Sequence, residues 1–145
     1  GEGPHREKAR EMMLSLKIWK VTEELAVDDA LATRLYPAIR ELEDVRFELR
    51  QSMERDAIVL RDALGVEPLD SDAVTRAVQT TKEHRRGYMR REFEKIDTIL
   101  AMLTVEQQAR FLLLEMEFED DVRQFLRERR ERRRGPSPAP AEFPQ

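Results

Sequence analysis

A chain of 145 residues that is 40% hydrophobic, 39% charged and only 6% aromatic, with five glycines, fits one extended helical domain better than a sandwich or an α/β enzyme. Lys and Arg total 26 against 30 Asp and Glu, and the net charge of −4 excludes a general pull toward nucleic acid or acidic membranes, so any such attraction has to be local. The absence of cysteine excludes disulfides, thiolate metal sites and a cysteine nucleophile.

Residues 1–5 are expected to be a flexible start. Gly1-Glu2-Gly3-Pro4 reads as a trimmed terminus without a charged-then-apolar secretion segment, which leaves either a mature exported form or a protein made without a signal. No apolar run approaches the roughly 18 to 20 residues needed to cross a bilayer. From Arg6 to about Leu25 the pattern is helical, and apolar residues nearly circle the axis. Met12, Leu16 and Trp19 fall on one side, Leu14, Ile18, Val21 and Leu25 on another. A single neighbour cannot cover both stripes, so this helix should pack between two elements, or between its own subunit and a partner.

Asp28 offers a cap for the next helix, with Asp29 adding negative charge to the first turn. That helix should reach Leu64 along a seam of Leu31, Leu35, Ile39, Leu42, Leu49, Met53, Leu60 and Leu64, interrupted at Arg46 and Asp56. Pro37 lacks an N–H and its ring crowds the carbonyl four residues back, which predicts a kink or a short break at Leu35 to Pro37. Gly65 and Pro68 mark the stop. Asp70 or Ser71 can cap a third helix carrying Val74, Val78, Thr81, Tyr88, Ile96, Ile99 and Leu103, which Gly87 weakens by about 1 kcal/mol relative to alanine.

At Leu103-Thr104-Val105-Glu106-Gln107 the chain should turn. The Thr104 hydroxyl can cap the new helix while Gln107 reaches back to the cap's own amide, the reciprocal arrangement of a capping box. The fourth helix carries Phe111, Phe118, Val122 and Phe125 on one stripe with Leu112, Met116 and Leu126 beside it. Residues 6–134 form a single helical domain in this reading. From Gly135 the repeated prolines describe an extended or disordered tail, residues 135–145.

Folding back at Leu103 as an antiparallel pair predicts that Glu115, Glu117, Glu119, Asp120 and Asp121 face Arg91, Arg90, Arg86 and Arg85. Exposed pairs contribute only about 0 to 1 kcal/mol each, so such blocks would set register more than stability. Arg127, Arg129, Arg130, Arg132, Arg133 and Arg134, with Glu128 and Glu131 between them, make a basic end. It reads either as a contact for phosphate, anionic lipid or an acidic partner, or as cations complementing a helix C-terminus.

No Gly-rich phosphate loop, serine elbow, HExxH pair or two-cysteine knuckle occurs, so the sequence does not describe an enzyme, and no cofactor is required. Trp19 reads as a core or interface anchor. His5, near Glu7, Glu11, Met12 and Met13, and His84, near Glu83 and Met89, are the candidate ligands for a divalent metal such as zinc, nickel, cobalt or copper. Neither has a second strong ligand one helical turn on, which is the pattern of an ordinary surface histidine.

The Leu103-Thr104-x-x-Gln107 motif in a small, charged, helical chain resembles the LTxxQ superfamily, which includes Spy- and CpxP-like periplasmic chaperones and ZraP- and CnrX-like heavy-metal-resistance sensors. The resemblance spans about Glu7 to Arg134. Leu103, Thr104 and Gln107 match the second family motif. At the first, Leu25-Ala26-Val27-Asp28-Asp29-Ala30-Leu31 keeps the apolar spacing and a cap, with Leu31 where the family has glutamine. Leu16 to Leu25 and Gln107 to Leu112 are most similar to the metal-sensor branch, although that branch's histidine pairs are not found here.

The resemblance implies an all-α, four-helix bent hairpin in a cradle-shaped or intertwined homodimer, located in the periplasm. The function it suggests is a non-catalytic envelope-stress protein that binds client or regulatory proteins through an amphipathic, chaperone-like surface. Met12, Leu16, Trp19, Phe111, Phe118 and Phe125 are the expected partner or client surface. The alternatives are a periplasmic metal sensor using His5 and His84, and an intracellular coiled-coil adaptor. No nucleic-acid partner and no membrane span are expected, with peripheral contact through Arg127–Arg134 left open.

Overall fold

The protein is all-α. The computed structural model describes residues 3–135, which form four helices: α1 (Gly3–Leu25), α2 (Asp29–Leu64), α3 (Ser71–Ala101) and α4 (Val105–Arg134). Helix α1 starts at Gly3, ahead of the expected Arg6, because Pro4 falls in the first turn, where its missing N–H costs nothing. The proline-rich tail predicted for residues 135–145 lies outside the described residues except for Gly135, as do Gly1 and Glu2.

Each boundary has a local cause. Helix α1 ends in a left-handed residue, Ala26 at φ 49°, with Val27 N–H donating to Thr22 O and Ala26 N–H to Glu23 O, the paired bonds of a Schellman stop. Asp28 then caps α2 by accepting from Leu31 N–H at 2.8 Å, and Asp70 caps α3 by accepting from Asp72 and Ala73. The Gly65 N–H closes α2 onto Arg61 O and Asp62 O.

Helix α2 runs unbroken through Pro37, so of the expected kink or short break the break does not occur. Pro37 and Thr33, whose carbonyl loses its usual donor, are both exposed, so water can satisfy the orphaned oxygen. At 36 residues α2 is about 54 Å long and is the axis of the molecule.

Cross-helix pairs define the packing. Helix α1 lies antiparallel on α2, joined by Thr22–Tyr36, Arg10–Asp44 and Arg6–Glu54. Helix α3 lies antiparallel along α2 on another side, through Lys95–Glu41, Arg91–Glu48 and His84–Asp56. Helix α4 packs on α1, not on α3. The core gathers where α1 ends and α4 begins, around Val21, Leu25, Leu35, Ile39, Leu42, Ile99, Leu103, Phe111 and Leu114.

This packing overturns the predicted pairing of charge blocks. Arg91 bonds Glu48 of α2, Asp121 bonds Lys20 of α1, and Glu115 joins Lys17 of α1 and Arg46 of α2. The chain does turn at Leu103, but the face of α3 holding Arg91 and Lys95 is already committed to α2. The acidic run of α4 therefore meets α1.

Candidate functional site

The turn between α3 and α4 ties three helix ends together. Thr104 Oγ1 accepts from Gln107 N–H at 3.2 Å, and Thr104 N–H donates to Gln107 Oε1 at 3.0 Å, the reciprocal cap that the sequence predicts. The Gln107 amide does more than that. Its Nε2 donates to Leu25 O at 3.1 Å, one of the last carbonyls of α1, which the helix itself leaves without a donor. Gln108 Nε2 donates to Leu100 O and Leu103 O at the end of α3. Leu103 is buried beneath them. The motif residues are thus a structural vertex, with their polar groups spent on backbone.

About three turns along from that vertex, charged residues of all four helices meet inside the bundle. Lys17 is only 1% exposed. It pairs with Glu43 and Glu115, while Arg46 reaches Glu115 Oε2 at 2.6 Å, Glu43 Oε1 at 3.0 Å and Glu92 Oε1 at 3.8 Å. Lys17 Nζ also stands 5.3 Å from the Phe118 ring. Burial pushes the Glu43 carboxyl up, but the charges of Lys17 and Arg46 outweigh it and hold the group below the usual carboxylate value. Burial likewise works against the Arg46 charge, and Glu115 and Glu43 reverse it, so the guanidinium is held more firmly protonated than usual.

Sequence reasoning missed this cluster, although its signal is visible. Lys17 occupies the buried stripe between Leu14 and Val21, and Arg46 is an interruption of the α2 seam. A charge at a core position requires a buried counter-charge. The other interruption, Asp56, is likewise buried and receives His84 Nδ1 at 3.0 and 3.1 Å from its two oxygens.

The six residues expected to form a partner surface divide. Phe111 is completely buried in the core, which corrects its assignment to a surface: it lies one turn beyond Gln107 on the face that α4 turns inward. Phe118 is partly buried against the same core, and Leu16 is half-buried. Met12, Trp19 and Phe125 remain outside, Trp19 at 59% exposure.

The outward faces also hold residues the expectation omitted. Val105, Leu112, Leu113 and Met116 line the solvent side of the first turns of α4, Met116 at 76% exposure. Leu112 and Met116 belong to the wide apolar stripe of the sequence, but periodicity cannot say which side of a helix its neighbour will cover. Phe93 and Met89 are similarly bare on α3.

His5 is exposed in the first turn of α1 and His84 sits on α3, so the fold does not bring the two histidines together. Among the described residues no three His, Cys, Asp or Glu side chains converge on a point where an ion could sit. His84 and Asp56 form a hydrogen-bonded pair through His84 Nδ1. No described helix is long and apolar enough to cross a membrane. Comparison of the chain with protein-family models, with curated proteins and with solved structures finds no match.

Proposed function

We propose that the protein is a non-catalytic binding protein of the bacterial envelope that holds client or regulatory proteins on the outward apolar faces of α1 and α4, and that a second copy of the chain shares part of that surface. The observation that carries this reading is the bare apolar set Trp19, Leu113 and Met116, each more than half exposed and set among charged neighbours such as Lys20, Glu23, Glu117 and Glu119. Large side chains left in water on two adjacent helices gain free energy when covered, at about 25 cal/mol per Å². The charged surround keeps the unliganded surface dispersed and makes capture reversible, since nothing covalent is formed. The envelope location rests on the LTxxQ resemblance of Leu103, Thr104 and Gln107.

The test uses light scattering from reduced, aggregating insulin. Wild type should suppress the scattering, and Trp19→Ser/Leu113→Ser/Met116→Ser should lose most of that effect while keeping its helical circular dichroism. Equal suppression by both proteins would reject the surface. Sedimentation equilibrium reports the dimer separately.

A metal-sensing role is the second reading, and the His84–Asp56 pair is what favours it. Titration calorimetry with zinc, nickel, cobalt and copper should then show saturable binding that Asp56→Ala removes. Silence with all four ions rejects it.

A further inference from the structure

The fold gives the basic end of the chain a setting that the linear sequence does not reveal. Helix α4 runs antiparallel to α1, and Arg129 Nη1 donates to Met12 Sδ at 3.2 Å, so the end of α4 and the start of α1 share one pole of the molecule. There Arg127, Arg129, Arg130, Arg132, Arg133 and Arg134 step round the whole circumference of the helix. Within this stretch of α4 Glu128 and Glu131 dilute them, and Glu7 and Glu11 are exposed on the neighbouring start of α1. Among the described residues none of these six arginines is paired with a carboxylate. The exposed Lys8 and the positive N-terminal end of α1 lie on the same side.

We infer that this pole docks end-on against an anionic phospholipid surface. Arginine suits phosphate headgroups because its planar fork donates two parallel hydrogen bonds, and its charge is permanent. An apolar shoulder completes the surface: Met12, Phe125 and Leu126 are each about two-fifths exposed beside the arginines. Such side chains gain by entering the headgroup boundary, and a bare polyphosphate offers them nothing.

The charge layout favours a planar surface over a nucleic acid. From Arg134 at the tip back to Asp121 the helix falls about 20 Å, and from Arg127 about 9 Å, against a screening length of roughly 8 Å at physiological salt. At that depth Glu117, Glu119, Asp120 and Asp121, only partly offset by Arg123 and by Lys20 of α1, leave the same helix negative, in a chain whose net charge is −4. A membrane touched by the tip leaves those acids outside its field. A strand lying along α4 to collect several phosphates would have to run over them.

The experiment is vesicle co-sedimentation of the whole chain at two salt concentrations. Wild type should pellet with vesicles of mixed phosphatidylglycerol and phosphatidylcholine, and not with phosphatidylcholine alone, with binding that weakens as salt rises. Arg130→Gln/Arg133→Gln/Arg134→Gln should lose about a hundredfold in partitioning, at roughly fivefold per arginine. Arg130→Lys/Arg133→Lys/Arg134→Lys, which keeps the charge and loses the paired hydrogen bonds, should fall between wild type and the glutamine variant. Arg85→Gln/Arg86→Gln/Arg90→Gln, which removes the same charge from α3, should change it by less than threefold. The inference is overturned if wild type ignores anionic vesicles, if the α3 variant loses as much as the tip variant, or if the tip binds duplex RNA while leaving vesicles untouched.

Discussion

Gln107 Nε2 stands 3.1 Å from Leu25 O, so one side chain both completes the cap of α4 and occupies a carbonyl at the end of α1, far away in sequence. Replacing Gln107 by alanine therefore removes two hydrogen bonds at a shared vertex. The expected cost is about 1 to 2 kcal/mol, read as a drop in urea midpoint. Gln107→Glu keeps the oxygen that accepts from Thr104 N–H and loses the donor to Leu25 O, so it should fall between wild type and alanine. A loss confined to Gln107→Ala, with Gln107→Glu equal to wild type, would mean the Leu25 bond contributes nothing.

Lys17→Met leaves Glu43 and Glu115 inside the bundle with Arg46 as their remaining cation. About 3 kcal/mol of destabilisation is expected, the low end for breaking a buried pair because Arg46 still partly compensates. Lys17→Met/Glu115→Gln should recover part of that loss. The coupling term from the double-mutant cycle measures how much, and a value near zero would show that the two groups do not interact.

Acid should weaken the bundle through Glu43. Its folded carboxyl is held below the ordinary value of 4.5, so its contribution is fully present above that pH and is lost as pH falls through the lower folded value. Chemical denaturation from pH 7 downward should show stability flat to about pH 5 and then declining. In Glu43→Gln the decline should be shallower, and an unchanged acid limb would assign it to other carboxylates.

Ala26 is the position where a conservative change should help. Its φ of 49° places an alanine in the left-handed region that glycine enters freely. Ala26→Gly is expected to raise stability by about 0.5 to 1 kcal/mol even though it loosens the unfolded chain. A lower melting temperature in Ala26→Gly would contradict this.

Phe111 and Trp19 should respond oppositely to truncation. Phe111→Ala opens the core and is expected to cost about 3 to 5 kcal/mol. Trp19→Ala, in the separated chain, should stay within about 0.5 kcal/mol. If a second copy covers Trp19, its effect grows with protein concentration, which melting curves over a dilution series will show.

The sequence by itself determined the four helices, their caps at Asp28, Asp70 and Thr104, the stop at Gly65 and the turn at Leu103, because each depends on groups within a few residues of one another. It also marked Arg46 and Asp56 as breaks in an apolar seam. Only the tertiary structure decided what those breaks are for, seating Arg46 among Glu43, Glu92 and Glu115 and giving Asp56 to His84. It also sent the acidic run of α4 to α1 instead of α3, drew Phe111 inward and left Trp19 outside. The reason is that a helix fixes the angle between its own side chains, whereas which angle faces a neighbour depends on how all four bury apolar surface together, a choice no local pattern records.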